Sequence, residues 1–159
     1  MNRGLCLFLC RIYYYNLHWF QESRLEPARS PRRHITPNRS EASRISGIEI
    51  TDMESAQRAA KAIHDMGPRN VIITLGSDGS LVYDGKMFMR VEALKVEAVD
   101  TTAAGDTYNG VLASVIAEGR SLIEAVREAN IAGAISVTRM GAQPAAPTRN
   151  EIEEMKKRK

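Results

Sequence analysis

The stretch VDTTAAGDTYNG, residues 99–110, places one carboxylate, Asp106, directly behind three residues with little or no side chain, Ala103, Ala104 and Gly105. From Thr107 onward, Tyr108, Val111, Leu112, Val115 and Ile116 fall on one helical stripe that Gly119 stops. The start of a helix carries four unpaired N–H groups and a partial positive charge. Small residues there let an anion approach the amides of Ala104, Gly105 and Asp106. Such an anion hole suits the charge on a transferring phosphoryl group, and Asp106 beside it would act as base toward an incoming hydroxyl. The competing reading is structural: Asp106 caps a helix that begins at Thr107. Taken alone, these residues favour the cap.

The elements that must position this segment are legible on either side of it. Asn38 to Ser46 reads as a short helix stopped by Gly47, and Asp52 as the cap of a longer one. In that helix Met53, Ala56, Ala60, Ile63 and Met66 recur at helical spacing until Gly67-Pro68. VIITL, Val71 to Leu75, is a β-branched run typical of a strand buried on both faces. SLVYDGKMFMRV reads as a hairpin turning at Asp84-Gly85. Ser121 and Glu124 form a capping box for a helix expected to reach about Arg139, ended by Gly141. Helices alternating with buried strands imply an α/β layered domain with a mainly parallel sheet.

Composition sets bounds without deciding function. The 159 residues suffice for one domain with a sizeable core, and 43% hydrophobic with 26% charged is ordinary for a globular protein. The net charge of +3 concentrates in residues 1–35, rich in Arg, and in the closing Lys156-Lys157-Arg158-Lys159, both read as solvated tails rather than nucleic-acid or membrane contacts. Residues before 35 have prolines, scattered Arg and no apolar period, which reads as linker. Cys6 and Cys10 have no partner cluster for a zinc site. The apolar run Leu5 to Cys10 is shorter than the roughly 20 residues of a spanning helix, so no membrane is expected. No G-x4-G-K-[ST] or G-x-G-x-x-G occurs; GSLVYDGK continues into Met87 and is not a phosphate-binding Walker loop.

Four motifs in order, TPNRSEA, TLGSDGS, VDTTAAGDTYNG and AISVTRMGAQPAAPT, together resemble the signature of the ribokinase-like, or PfkB, carbohydrate kinases. The similarity runs from Ile35 to Lys159. It implies a ribokinase-like, Rossmann-like α/β fold. It also implies ATP-dependent phosphorylation of a sugar's primary hydroxyl, D-ribose being the expected acceptor, with Mg2+ and K+ as cofactors. Another sugar, a nucleoside or a vitamin is the alternative substrate, and a non-catalytic piece that binds nucleotide or a partner chain is the alternative function. A cytoplasmic or nuclear location goes with this reading.

Residue by residue, the resemblance makes Asp106 the general base, with Ala104 and Gly105 in the anion hole. It assigns Thr74, Leu75, Gly76, Ser77, Asp78 and Gly79 to the nucleotide loop, with Gly105, Asp106, Asn130 and Asn38 also near ATP. Asn38 and Glu41 match an N-x-x-E pair that organises magnesium through its waters, whereas the residues by themselves favour Asn38 as a helix N-cap; Arg39 stands between them where an acidic residue is common, touching neither. Asp100, Thr102, Ser136, Arg139, Gly141 and Ala145 match a potassium site built largely from backbone carbonyls; Ala145 replaces a frequent Ser. Tyr108 replaces a usual Phe and is expected only to pack. The family's sugar-binding residues and strand lid lie in an N-terminal half without counterpart here. Residues 1–34 are therefore expected to be a non-homologous, irregular segment and 35–159 the C-terminal, ATP-binding part. The family's dimers pair through the lid, so a homodimer is not expected of this chain.

Overall fold

A computed structural model describes residues 34–157. The expectations for the Arg-rich linker, the Leu5–Cys10 run and the two cysteines lie outside the described residues, as do Arg158 and Lys159. In chain order the elements are β1 (His34–Ile35), α1 (Arg39–Ser46), α2 (Met53–Asp65), β2 (Asn70–Thr74), a 3-10 turn (Gly76–Asp78), β3 (Ser80–Tyr83), β4 (Phe88–Val91), α3 (Ala104–Ala117), α4 (Leu122–Ser136) and α5 (Arg149–Lys157).

Helix starts follow local chemistry. Asn38, Asp52 and Ser121 each accept from the amide three residues on, and that third residue reaches back to the cap amide. Two boundaries differ from expectation. Helix α3 starts at Ala104, because Ala103 takes a left-handed conformation and the Ala104 amide already bonds the Thr101 carbonyl at 3.3 Å. Helix α4 stops at Ser136 instead of near Arg139. One more turn would pair the Val137 carbonyl with the Gly141 amide, and both are taken. Val137 accepts from Val99 and Asp100 at 2.7 and 3.1 Å, and Gly141 donates to the Asp100 carboxylate at 2.9 Å.

The four strands form one sheet in the order β1-β2-β3-β4. The α/β layering is as expected, but the described strands are not mainly parallel. Only β1 and β2 run parallel, with Ile35 opposite Val71; β2–β3 and β3–β4 are antiparallel. The reason is connection length. Residues 75–79 and 84–87 are all that join these neighbours, and a parallel crossover needs about a dozen residues or more.

Both sheet faces are covered. Val71, Ile73, Leu81 and Tyr83 pack on α1 and α2, through Ala42, Ala56, Ala59, Ala60 and Ile63. Ile72, Val82 and Val91 pack on Leu112, Val115, Ala125, Val126 and Ala129 of α3 and α4. Burying each Val, Leu or Ile contributes about 1.5–3 kcal/mol, so this sandwich makes β2 and β3 a rigid base. Helix α5 adds Ile152 against Ile131 and Ile135. Lys156, expected in a solvated tail, instead bonds the buried Glu128 at 2.7 Å, and Arg120 pairs with the same carboxylate. No helix among the described residues is long and apolar enough to cross a membrane.

Candidate active site at the carboxyl ends of the strands

Two of the expected site segments, the one at Asn38 and the 74–79 loop, meet where β1 and β2 end, the edge at which α/β sheets commonly bind ligands. Asn38 forms an isolated parallel bridge with Thr74, and the Thr74 amide donates to the Pro37 carbonyl at 3.0 Å. The N-x-x-E segment thus lies beside the start of the 75–79 loop. Asn38 Oδ1 accepts from the Glu41 amide, and Glu41 Oε2 from the Asn38 amide, both at 2.9 Å. The pair is a capping box. Its spare groups, Glu41 Oε1 and the Asn38 amide NH2, have no partner among the described residues. Arg39, between the two, donates to Asp78 at 2.9 Å and ties α1 to that loop. The pair is well exposed, so it contributes little on its own.

The loop is shaped by its own backbone. The Leu75 amide bonds the Gly79 carbonyl at 2.8 Å and the Gly79 amide the Gly76 carbonyl at 3.1 Å. This leaves the exposed amides of Gly76 and Ser77 without an acceptor among the described residues. Gly79 is obligatory: its φ is +88°, and a Cβ there would lie 2.1 Å from the Val91 carbonyl oxygen and 2.7 Å from the Ala93 amide nitrogen.

Asp106 sits in the first turn of α3, exposed, and it is not the cap. That position belongs to Ala103, whose φ of +58° makes it the only left-handed non-glycine residue among those described, and no side chain caps the helix. Such a conformation costs about 1–2 kcal/mol, and strain of this kind concentrates at functional sites. The amides of Gly105 and Asp106 find no acceptor among the described residues, whereas that of Ala104 is engaged by Thr101. A Cβ built on Gly105 meets nothing within 4 Å. The turn therefore offers two free donors, open space above them and a carboxylate with no partner among the described residues. It is suited to hold an anion and to accept a proton next to it.

Beside this turn, Asp100 joins two loops. It accepts from the Thr102 amide and the Gly141 amide, each at 2.9 Å. The Thr102 hydroxyl and amide and the Gly141 amide hold its carboxyl below the usual carboxylate range. Ser136 is buried, its hydroxyl donating to the Gly133 carbonyl at 2.8 Å, and the Arg139 amide bonds the Ser136 carbonyl at 3.2 Å. The Arg139 guanidinium pairs with Glu151 of α5. Ala145 is fully buried. Asp100, Thr102 and Gly141 are thus in direct contact, with Ser136 and Arg139 in the turn preceding Gly141. Among the described residues there is no cluster of three His, Cys, Asp or Glu that would hold a metal by side chains alone.

Asn130 is the expected site residue that turns inward. It is buried, accepts from the Ser80 hydroxyl at 2.8 Å, and donates to the Val91 carbonyl at 3.0 Å. The Tyr108 hydroxyl lies 3.0 Å from Ser80 Oγ, so Tyr108 does more than pack. Burial pushes its phenol up to about 12, moderated by that Ser80 contact. Ser80 went unnoticed in the sequence, although a serine opening the otherwise apolar strand SLVY is a signal that a buried partner exists.

Comparison with known proteins shows the family and the fold. The chain matches the pfkB family carbohydrate kinases over residues 21–149, a match that starts upstream of the composition boundary near 35. It is 45% identical to the ribokinase of Haemophilus influenzae over 117 residues, covering 74% of this chain and 38% of that protein. It is 41% identical to the ribokinase of Bacillus subtilis over 122 residues, or 77% of this chain and 39% of that one. The chain thus spans about two fifths of the length of these curated relatives. Among solved structures, Thermotoga maritima ribokinase superposes with a TM-score of 0.73 at 34% identity, covering 86% of this chain and 52% of that one. Arabidopsis thaliana ribokinase complexed with ribose and ATP gives 0.70 at 33%, covering 77% and 40%. Escherichia coli phosphofructokinase-2 in complex with potassium gives 0.68 at 27%, covering 76% and 39%. The fold is therefore ribokinase-like α/β.

Proposed function

The chain belongs to the pfkB family of carbohydrate kinases, and from that premise we propose that it carries the nucleotide side and the catalytic base of an ATP-dependent kinase acting on D-ribose. The unit concerned is residues 35–159. The observation that carries this reading is the α3 turn, where the Gly105 and Asp106 amides and the Asp106 carboxylate, without partners among the described residues, face open space. The acceptor's primary hydroxyl oxygen attacks the γ-phosphorus, its proton passes to Asp106, and the bond to the β-phosphate oxygen breaks to release ADP. The amides of Gly105 and Asp106 take up charge on the transferring group, and the 75–79 loop seats the rest of the nucleotide through the Gly76 and Ser77 amides.

Magnesium is assigned to the spare Glu41 Oε1 and Asn38 groups through water, where it would offset phosphate charge. Potassium is assigned to Asp100, Thr102, Ser136, Arg139, Gly141 and Ala145. One carboxylate among neutral oxygen donors suits a cation of low charge, and the residues that hold it also brace the α3 turn. Ribose is favoured by the identity to ribokinases, and phosphofructokinase-2 among the structural neighbours keeps other sugars in view.

ADP release by the purified chain, with ribose and with other sugars, in the presence and absence of potassium, tests the proposal. Asp106→Asn keeps the helix start and removes the base, and is expected to lower turnover at least about 10²-fold with nucleotide affinity retained. Equal turnover in the variant would refute the base. The second reading is nucleotide binding without turnover; ATP binding without ribose-dependent ADP release would establish it.

A further inference from the structure

We infer that Ser80, Tyr108 and Asn130 are positioning residues, a buried network that fixes the α3 turn bearing Asp106 against the 75–79 loop. The inference rests on reading that turn and loop as one nucleotide site. Tyr108 lies two residues beyond Asp106, and Ser80 immediately follows Gly79, so a bond between them spans the two halves of the site directly. The hydroxyl of Ser80 donates to Asn130 Oδ1 at 2.8 Å. Its 3.0 Å contact with Tyr108 therefore requires the tyrosine to donate. Asn130 passes the chain on, donating to the Val91 carbonyl at 3.0 Å. That same carbonyl is the atom a Gly79 Cβ would strike, so the network closes on the last residue of the loop.

Four elements, α3, β3, α4 and β4, are thus registered by three hydrogen bonds. All three side chains are inside, with relative exposures of 0% for Ser80, 5% for Tyr108 and 8% for Asn130. Water is not at hand to replace a lost partner, so each bond is specific in direction as well as present. No buried side-chain polar atom among the described residues lacks a partner. Removing the Ser80 hydroxyl would strand two groups at once, the Tyr108 hydroxyl and Asn130 Oδ1. Removing only the Tyr108 hydroxyl strands none, because Ser80 keeps Asn130.

The test uses the whole chain as wild type, Tyr108→Phe, Ser80→Ala and the double variant. Hydrogen exchange is followed at residues 76–79, 104–107 and, as reference, in α2, which packs on the opposite sheet face. Affinity for the non-hydrolysable ATP analogue adenylyl-imidodiphosphate with magnesium is measured by calorimetry. In Ser80→Ala, exchange at 76–79 and 104–107 is expected to rise about tenfold or more, with α2 unchanged and analogue affinity about tenfold lower. Tyr108→Phe, the milder change, should move the same segments less. The double variant should lose less than the sum of the singles, because phenylalanine removes one stranded group. Unchanged exchange at both segments, or equal acceleration in α2, would overturn the positioning role. Failure of the wild-type chain to bind the analogue would instead refute the proposed function, while the exchange pattern still decides the network.

Discussion

Replacing Gly105 with alanine separates what this turn does for folding from what it does for a ligand. Gly105 is the second residue of α3, with helical backbone and no neighbour within 4 Å of an added Cβ. Alanine is favoured over glycine by about 0.8–1 kcal/mol inside a helix, so roughly half of that, about 0.5 kcal/mol, is a fair expectation in the first turn. With no clash and no left-handed φ to oppose it, the variant should melt about 1–2 °C higher. The added methyl leans toward the helix N-terminus, into the space above the Gly105 and Asp106 amides. A phosphate oxygen must come within about 2.7–3.1 Å of such donors, and losing one typically costs 10²–10³-fold in turnover. Thermal melting combined with calorimetric titration of the ATP analogue and of AMP checks both halves. The expected result is a higher melting temperature, weaker analogue binding and unchanged AMP binding. A stabilised variant with undiminished analogue affinity and turnover would show that these amides do not meet the phosphate, and the site assignment would fall.

Three further outcomes follow from the packing and the titrating groups. Gly79→Ala puts a methyl against the Val91 carbonyl at a left-handed φ, and chemical denaturation should show a loss of about 3 kcal/mol or more, with the loop's ligand affinity gone. Tyr108 has its folded pKa raised from 10.0 to about 12 by burial, so its contribution is complete below pH 10 and is lost as pH rises toward 12. Alkaline unfolding of the wild type should steepen across that window, by on the order of 2–3 kcal/mol, and the steepening should vanish in Tyr108→Phe. Glu151 is held down to about 2 by the Arg139 guanidinium and the Thr148 amide and hydroxyl. Its tether on α5 is therefore intact above pH 4.5 and lost as pH falls toward 2. Hydrogen exchange in residues 149–157 should accelerate over that range, and Glu151→Gln should show the acceleration already at neutral pH.

The sequence alone determined whatever is decided within a few residues. Caps at Asn38, Asp52 and Ser121 were readable because each bond closes three residues away, and the Asp84-Gly85 hairpin because two residues define the turn. The glycine-poised Asp106 and the order of the four motifs were readable for the same reason. Tertiary structure decided what depends on partners far along the chain. Helix α4 ends early because Asp100, 41 residues from Gly141, captures that amide. Ser80 and Asn130, 50 residues apart, looked like an ordinary strand residue and a ligand contact until folding turned them toward each other. The Arg39–Asp78 contact, 39 residues apart, likewise had no local signal. The antiparallel majority of the sheet lay between these cases: its short connections were visible, but which strands they join is fixed only when both faces are buried. A helix start and its carboxylate are local chemistry, whereas the distance from that carboxylate to a loop thirty residues earlier is set by the buried groups between them.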